Sequence, residues 1–187
     1  MLKANKIRTK IGNKFLSLLY MKNIFFGVLV VFFAFLSCRT DDDDLQNIDQ
    51  ILNIYMKNTS GRDLFKNKKD SAYFTYSMND DNGAADLAPV SSSLRANADS
   101  TLFIEYIAGA RRIGIDTLDP DNKIYQSDIT VSLIRRLNNT ALDTIEDKLT
   151  IEYRMTPSVF EVSKVYYNDT LRFTKQQGSP NVVTIVK

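Results

Sequence analysis

The chain has 187 residues, with 24 Lys and Arg against 22 Asp and Glu, and a formal net charge of +2. It contains one cysteine and no histidine, which removes intrachain disulfides, Ser-His-Asp and Cys-His nucleophilic chemistry and ordinary zinc sites. Residues 1–37 hold six of the bases and no acid, so the remainder has 18 bases against 22 acids, a net of −4 that withdraws compositional support for nucleic-acid binding.

Met1 to Tyr20 is basic, with Lys3, Lys6, Arg8, Lys10 and Lys14. It reads either as a long leader or as an over-extended start ahead of a true start at Met21. From Met21, Lys22 supplies a positive charge, Ile24 to Leu36 is an apolar run of thirteen residues, and the small Ser37 precedes Cys38. That order is a secretion signal, and the run is shorter than the ~20 residues of a membrane-spanning helix. A lone cysteine in such a chain has no disulfide partner, and its thiolate is a natural nucleophile for thioether formation. The stretch Phe35-Leu36-Ser37-Cys38 resembles the lipobox of bacterial lipoproteins, in which lipid is attached to the cysteine before the peptide is cut just ahead of it. The resemblance implies several acyl chains on Cys38, a durable anchor where one chain alone holds only marginally.

Asp41, Asp42, Asp43 and Asp44 follow. Four adjacent carboxylates repel one another and stay solvated as a tether. They resemble the acidic export signal behind the lipidated cysteine of Bacteroidota surface lipoproteins, which implies display on the outer face of the outer membrane. A plain spacer on a protein facing the periplasm is the alternative. The organisation expected is therefore a signal region at 1–37, a lipidated cysteine and acidic tether at 38–49, and a single β-rich domain at 50–187.

In that domain Leu52, Ile54 and Met56 alternate with Asn53, Tyr55 and Lys57, the period of a half-buried strand, which stops at the turn cluster Asn58 to Gly61. Ala72 to Met78 alternates again. Asn79-Asp80-Asp81-Asn82-Gly83 is the densest turn signal, and its carboxylates raise the question of calcium. The EF-hand pattern fails there, with Met78 where the first ligand belongs and Pro89 at the closing position, so an acidic turn is expected. Asp116 to Asp121 is read the same way. Ala84 to Ser100 is small and polar and reads as a long loop. Thr101 to Ala108 is apolar on both faces, as in a strand inside a sheet, with Glu105 as an anomaly. Either Glu105 is a carboxylate of raised pKa in a pocket, or it pairs with Arg111, Arg112, Arg135 or Arg136 or faces water at a sheet edge; the second is preferred.

Ile113 to Leu118, Ser127 to Arg136 and Leu149 to Met155 continue the strand rhythm. Val159 to Tyr167 and Thr170 to Thr174 flank Asn168-Asp169, a two-residue connection suited to a tight hairpin. Val182 to Val186 is a last β-branched run. Eight or nine short strands joined by turns predict an all-β fold, an antiparallel immunoglobulin-like sandwich, with a closed barrel satisfying the same spacing. Lys57 to Phe65 (KNTSGRDLF) and Val165 to Leu171 (VYYNDTL) resemble uncharacterised surface lipoproteins of Bacteroidota, a likeness that implies no activity.

The remaining enzymatic route is a carboxylate pair acting on glycosides, drawn from Glu105, Glu146, Glu152 and Glu161, but Glu152 and Glu161 sit among polar residues as a solvated strand face would. No catalytic residue, cofactor or metal site is assigned. Binding is the preferred class, because eight tyrosines follow residue 37, among them Tyr55, Tyr73, Tyr125, Tyr153, Tyr166 and Tyr167. The lack of tryptophan turns this toward proteins more than sugars. The function expected is a non-enzymatic binding or structural module of the cell envelope, anchored in membrane lipid through Cys38. Its partner would be an envelope protein or surface polymer, met through the tyrosine-bearing strands or the Ala84 to Ser100 segment. A carboxylate-dependent glycan-active enzyme and an anchored inhibitor are the alternatives.

Overall fold

The computed structural model describes residues 46–66, 75–137 and 141–187. These form eleven strands and no helix: β1 (Asn47–Asp49), β2 (Leu52–Lys57), β3 (Thr75–Asp80), β4 (Ser91–Ala96), β5 (Leu102–Ala108), β6 (Ile113–Asp119), β7 (Asn122–Arg136), β8 (Leu142–Met155), β9 (Val159–Tyr167), β10 (Thr170–Thr174) and β11 (Val182–Val186).

The strands make two sheets. The larger is a strongly curled half-barrel built on the meander β7-β8-β9. β7 has 15 residues and β8 has 14, lengths of roughly 45 Å each at strand rise. Each flank of the meander is shared by two shorter strands. On β7, β6 pairs over Asn122–Gln126 and β3 over Ile129–Ile134; on β9, β1 pairs over Val159–Glu161 and β10 over Lys164–Tyr167. The smaller sheet has the order β11-β2-β5-β4. Two edge pairings, β1 with β9 and β11 with β2, are parallel, whereas a wholly antiparallel fold was expected.

Both sheets face one hydrophobic core. Period-two alternation places Leu52, Ile54 and Met56 of β2, Ile104 and Tyr106 of β5, and Val183 and Ile185 of β11 against Ile129, Val131 and Leu133 of β7, Leu149 and Ile151 of β8, and Val162 and Val165 of β9. Fully burying one such aliphatic side chain contributes about 1.5–3 kcal/mol.

Tyr153 of β8 is the discordant member of this core. Its ring stacks on Phe160 at 5.4 Å, and the Arg112 guanidinium lies 5.1 Å from its centroid. The hydroxyl is nevertheless buried beside the Tyr106 and Ser127 side chains with no hydrogen bond of good geometry to either, and burial pushes the phenol's pKa up. Removing a satisfied hydroxyl costs on the order of 1 kcal/mol, whereas removing an unsatisfied one relieves its desolvation. Tyr153→Phe should therefore leave the thermal midpoint unchanged or raise it; a marked fall would contradict this account of the hydroxyl.

Four differences from the sequence reading have physical causes. The Ala84 to Ser100 segment is not one loop, because β4 forms within it by pairing antiparallel with β5. β3 runs on to Asp80, so the turn begins at Asp81, two residues later than expected. β7 starts at Asn122 and β8 at Leu142, because each supports the other in register where the side chains are too polar to show an apolar alternation. β1 precedes the first strand expected. The tight hairpin at Asn168-Asp169 is present, with φ of 48° and 60°, the two left-handed residues of a type I′ turn.

Candidate functional site

The alternation that buries one face of the smaller sheet fixes what the other face shows. β2 turns out Asn53, Tyr55 and Lys57, β5 turns out Phe103, Glu105 and Ile107, and β11 turns out Val182, Thr184 and Val186. Register aligns them in rows. Thr184 lies beside Tyr55, and Phe103 beside Arg95 of β4; the Tyr55 and Phe103 rings meet across β2 and β5 at 5.1 Å, tilted by 31°. In the next row stand Val182, Asn53, Glu105 and Ser93. Val182 and Val186 are exposed diagonally from Tyr55, and Ile107 is exposed on the far side of the Glu105 row. The result is an outward apolar patch centred on two rings, bordered by an ion pair and hydroxyls. This is the composition of a contact surface, in which aromatic side chains supply area and a polar rim supplies register.

Glu105 belongs to this border. Its carboxylate accepts hydrogen bonds from Arg95 Nε at 3.2 Å and Ser93 Oγ at 3.5 Å. The partner is none of the four arginines expected from the sequence. Arg95 was hidden by the reading of its segment as loop; once β4 pairs with β5, Arg95 and Ser93 stand next to the carboxylate. Of the four, Arg111 gives its backbone N–H to Asp80, Arg112 covers Tyr153 and Phe160, and Arg135 pairs with Asp143 at 2.7 Å.

The other glutamates are tied or solvated. Glu152 holds Lys164 at 3.0 Å, Glu161 holds Arg154 at 2.5 Å, and Glu146 is exposed. The Glu152 carboxylate in turn keeps the Lys164 ammonium's pKa above its ordinary value.

The acidic turns have structural occupations as well. Asp80 is buried and accepts the backbone N–H groups of Asn82 at 3.1 Å and Arg111 at 2.7 Å; Asp81 accepts both the N–H and the hydroxyl of Thr130. Gly83 serves packing, since a Cβ there would stand 2.3 Å from that of Ala88. Asp119 accepts the N–H of Asp121 within the β6–β7 turn. Among the described residues no three His, Cys, Asp or Glu side chains gather as a metal site would require.

Of the tyrosines named from the sequence, Tyr55 lies on the outward patch. Tyr153 and Tyr167 are core residues, Tyr125 and Tyr166 are partly buried elsewhere, and Tyr73 lies outside the described residues. Cys38 and Asp41 to Asp44 also lie outside them. Sequence reasoning missed Phe103 as a contact residue because an apolar side chain opposite Ile104 looked like the second buried face of an internal strand. The second sheet face instead carries the partly buried Phe103 ring against Tyr55.

Comparison with protein-family models, with curated proteins and with solved structures found no match. The class is therefore set by the chain's own architecture: an all-β domain of two sheets with a single shared core.

Proposed function

We propose that the chain is an extracytoplasmic lipoprotein held in the outer membrane through acylated Cys38, and that its β domain is a binding module of the cell envelope. Asp41 to Asp44 act as tether and export signal and carry the domain to the cell surface. The partner is an envelope protein or surface polymer, and it docks on the outward face of the smaller sheet. The observation that carries this reading is the outward pair of partly buried rings, Tyr55 and Phe103, on a sheet that joins β2, one of the tyrosine-bearing strands, to β4 of the Ala84 to Ser100 segment. The domain is read at the finer level as an immunoglobulin-like sandwich, a class that presents sheet faces and end loops to partners. The glycan-cleaving alternative has less support, since Glu105, Glu152 and Glu161 are each bound to a cation.

Cell fractionation tests the anchor. Cys38→Ala should move the protein from the membrane fraction to the soluble one, and mass spectrometry of the wild-type N-terminus should find acylated Cys38 as the first residue. An unmodified Cys38, or cleavage elsewhere, would contradict the proposal. Added protease should digest the domain on intact cells; protection equal to that of a periplasmic marker would place it on the inner side.

A further inference from the structure

β9 changes edge partners in its middle. β1 accompanies it as far as Glu161 and leaves at Asp49, and β10 takes over at Lys164. Between the departing strands opens a cleft of about 690 Å³ on the larger sheet, within the roughly 300–1,000 Å³ of small-molecule sites. Ser163 lines it. This residue is the extra one of the bulge where β8 pairs Glu152 with Lys164 and Tyr153 with Val162, and bulges commonly re-aim side chains beside sites. Its hydroxyl is buried and has no hydrogen-bond partner. Across from the sheet, the turn Gln176 to Ser179 closes with a hydrogen bond of 3.0 Å and carries Gly178 at φ 75°, which sets Gln177 at the cleft mouth.

The charges of the cleft come in pairs. Within the lining Arg154 holds Glu161 and Lys175 holds Asp49 at 2.5 Å, and Lys164 is held by Glu152 of the neighbouring strand β8, outside the lining. An anionic ligand would have to displace a resident carboxylate from its cation, and a cationic ligand the reverse. A hydroxyl does neither: it accepts from the cation and donates to the carboxylate of the same pair. The geometry leaves room for this, because the Glu152 and Glu161 side chains are 15% exposed while Arg154 and Lys164 are 45% exposed and present further N–H groups. Thr174 and Gln177 add uncharged donors and acceptors, and no aromatic ring is among the described residues lining the cleft.

We propose that this cleft is a binding site for a neutral saccharide. It lies on the larger sheet, away from the aromatic patch, and it stands or falls independently of what docks there. The test is an amide NMR titration of the full chain in a detergent without a sugar headgroup. The ligands are maltotriose, cellotriose, mannotriose and triacetylchitotriose, with trigalacturonic acid as the anionic arm. At least one neutral trisaccharide should give saturable shifts at Ser163, Thr174 and Gly178, with a Kd at least tenfold below that of trigalacturonic acid. Glu161→Gln, which frees Arg154, should weaken the neutral ligand at least tenfold and turn the preference toward the anion. Gln177→Ala, in an exposed turn that leaves folding untouched, should weaken the neutral ligand severalfold. Saturable shifts with none of the four neutral ligands, shifts confined to other residues, or tighter binding of trigalacturonic acid by the wild-type chain would overturn the proposal.

Discussion

Asp147→Ala should remove about 3–5 kcal/mol of stability, the cost of breaking a buried ion pair by deleting one partner. Asp147 sits on β8 with only 5% of its side chain exposed, and Lys187, which follows β11, gives its ammonium to it. The same carboxylate accepts the Tyr167 hydroxyl at 2.9 Å and the Asn168 side-chain amide at 2.7 Å. One group thus ties the larger sheet, its β9–β10 hairpin and the last strand of the smaller sheet. Burial raises the carboxyl's pKa, but the hydrogen bonds from Lys187, Asn168 and Tyr167 outweigh it, so the folded value lies below the ordinary 3.8. The sign follows: a depressed folded pKa contributes stability that is complete above the unfolded value and is lost as pH falls through the folded one. Urea unfolding should therefore show the full difference between wild type and variant at neutral pH and a shrinking difference below about pH 4. A pH-independent difference would contradict the charge-based account.

Asn181→Leu should cost about 3 kcal/mol and lower the thermal midpoint by roughly 6–12 °C for a domain of this size. Asn181 is 3% exposed and precedes β11. Its amide nitrogen donates to the Asp49 backbone and side-chain oxygens and to the Ile51 carbonyl, and its oxygen accepts from Lys175 at 2.8 Å. Leucine has about the same volume and meets none of these groups, so the Asp49 and Ile51 carbonyls, the Asp49 carboxylate and the Lys175 ammonium lose a partner at once. The junction of β1 and β2 is fastened to the β10–β11 connection by this side chain, and limited proteolysis of the variant should cut there first. Cleavage unchanged from wild type, with an unchanged midpoint, would contradict that role.

How much of this was legible in the sequence depended on whether a segment's own side chains carried the signal. β2 and β11 announce themselves, because their buried residues alternate strictly; β9 alternates on either side of its bulge at Ser163, and β10 is marked by the turn Asn168-Asp169, which even specifies its turn type, since both residues tolerate positive φ. β4 could not be read. Ser91-Ser92-Ser93 has neither apolar alternation nor strand propensity, and it is held in the sheet by β5 alone, an interaction between segments that no local pattern reports. With β4 missing, Arg95 could not be assigned to Glu105. The starts of β7 and β8 were shortened for a related reason: Asn122 to Gln126 is half-buried on both faces, and Leu142 to Glu146 alternates in burial but with polar Asp143 on its inner side, so neither shows apolar alternation in the sequence. Tyr55 was legible as a candidate, but not its contact with Phe103, which needs the register of β2 on β5.

The central claim is that the outward face of the smaller sheet meets a partner on the cell, and the direct test is photo-crosslinking in intact cells. A photoreactive amino acid at Tyr55 should yield a discrete adduct with one envelope component. The same group at Glu146, exposed on the larger sheet, should not. Phe103→Ala, which removes the neighbouring ring while leaving the buried face of β5 intact, should weaken the Tyr55 adduct strongly. Equal, background-level adducts from Tyr55 and Glu146, or a Tyr55 adduct indifferent to Phe103→Ala, would contradict the claim.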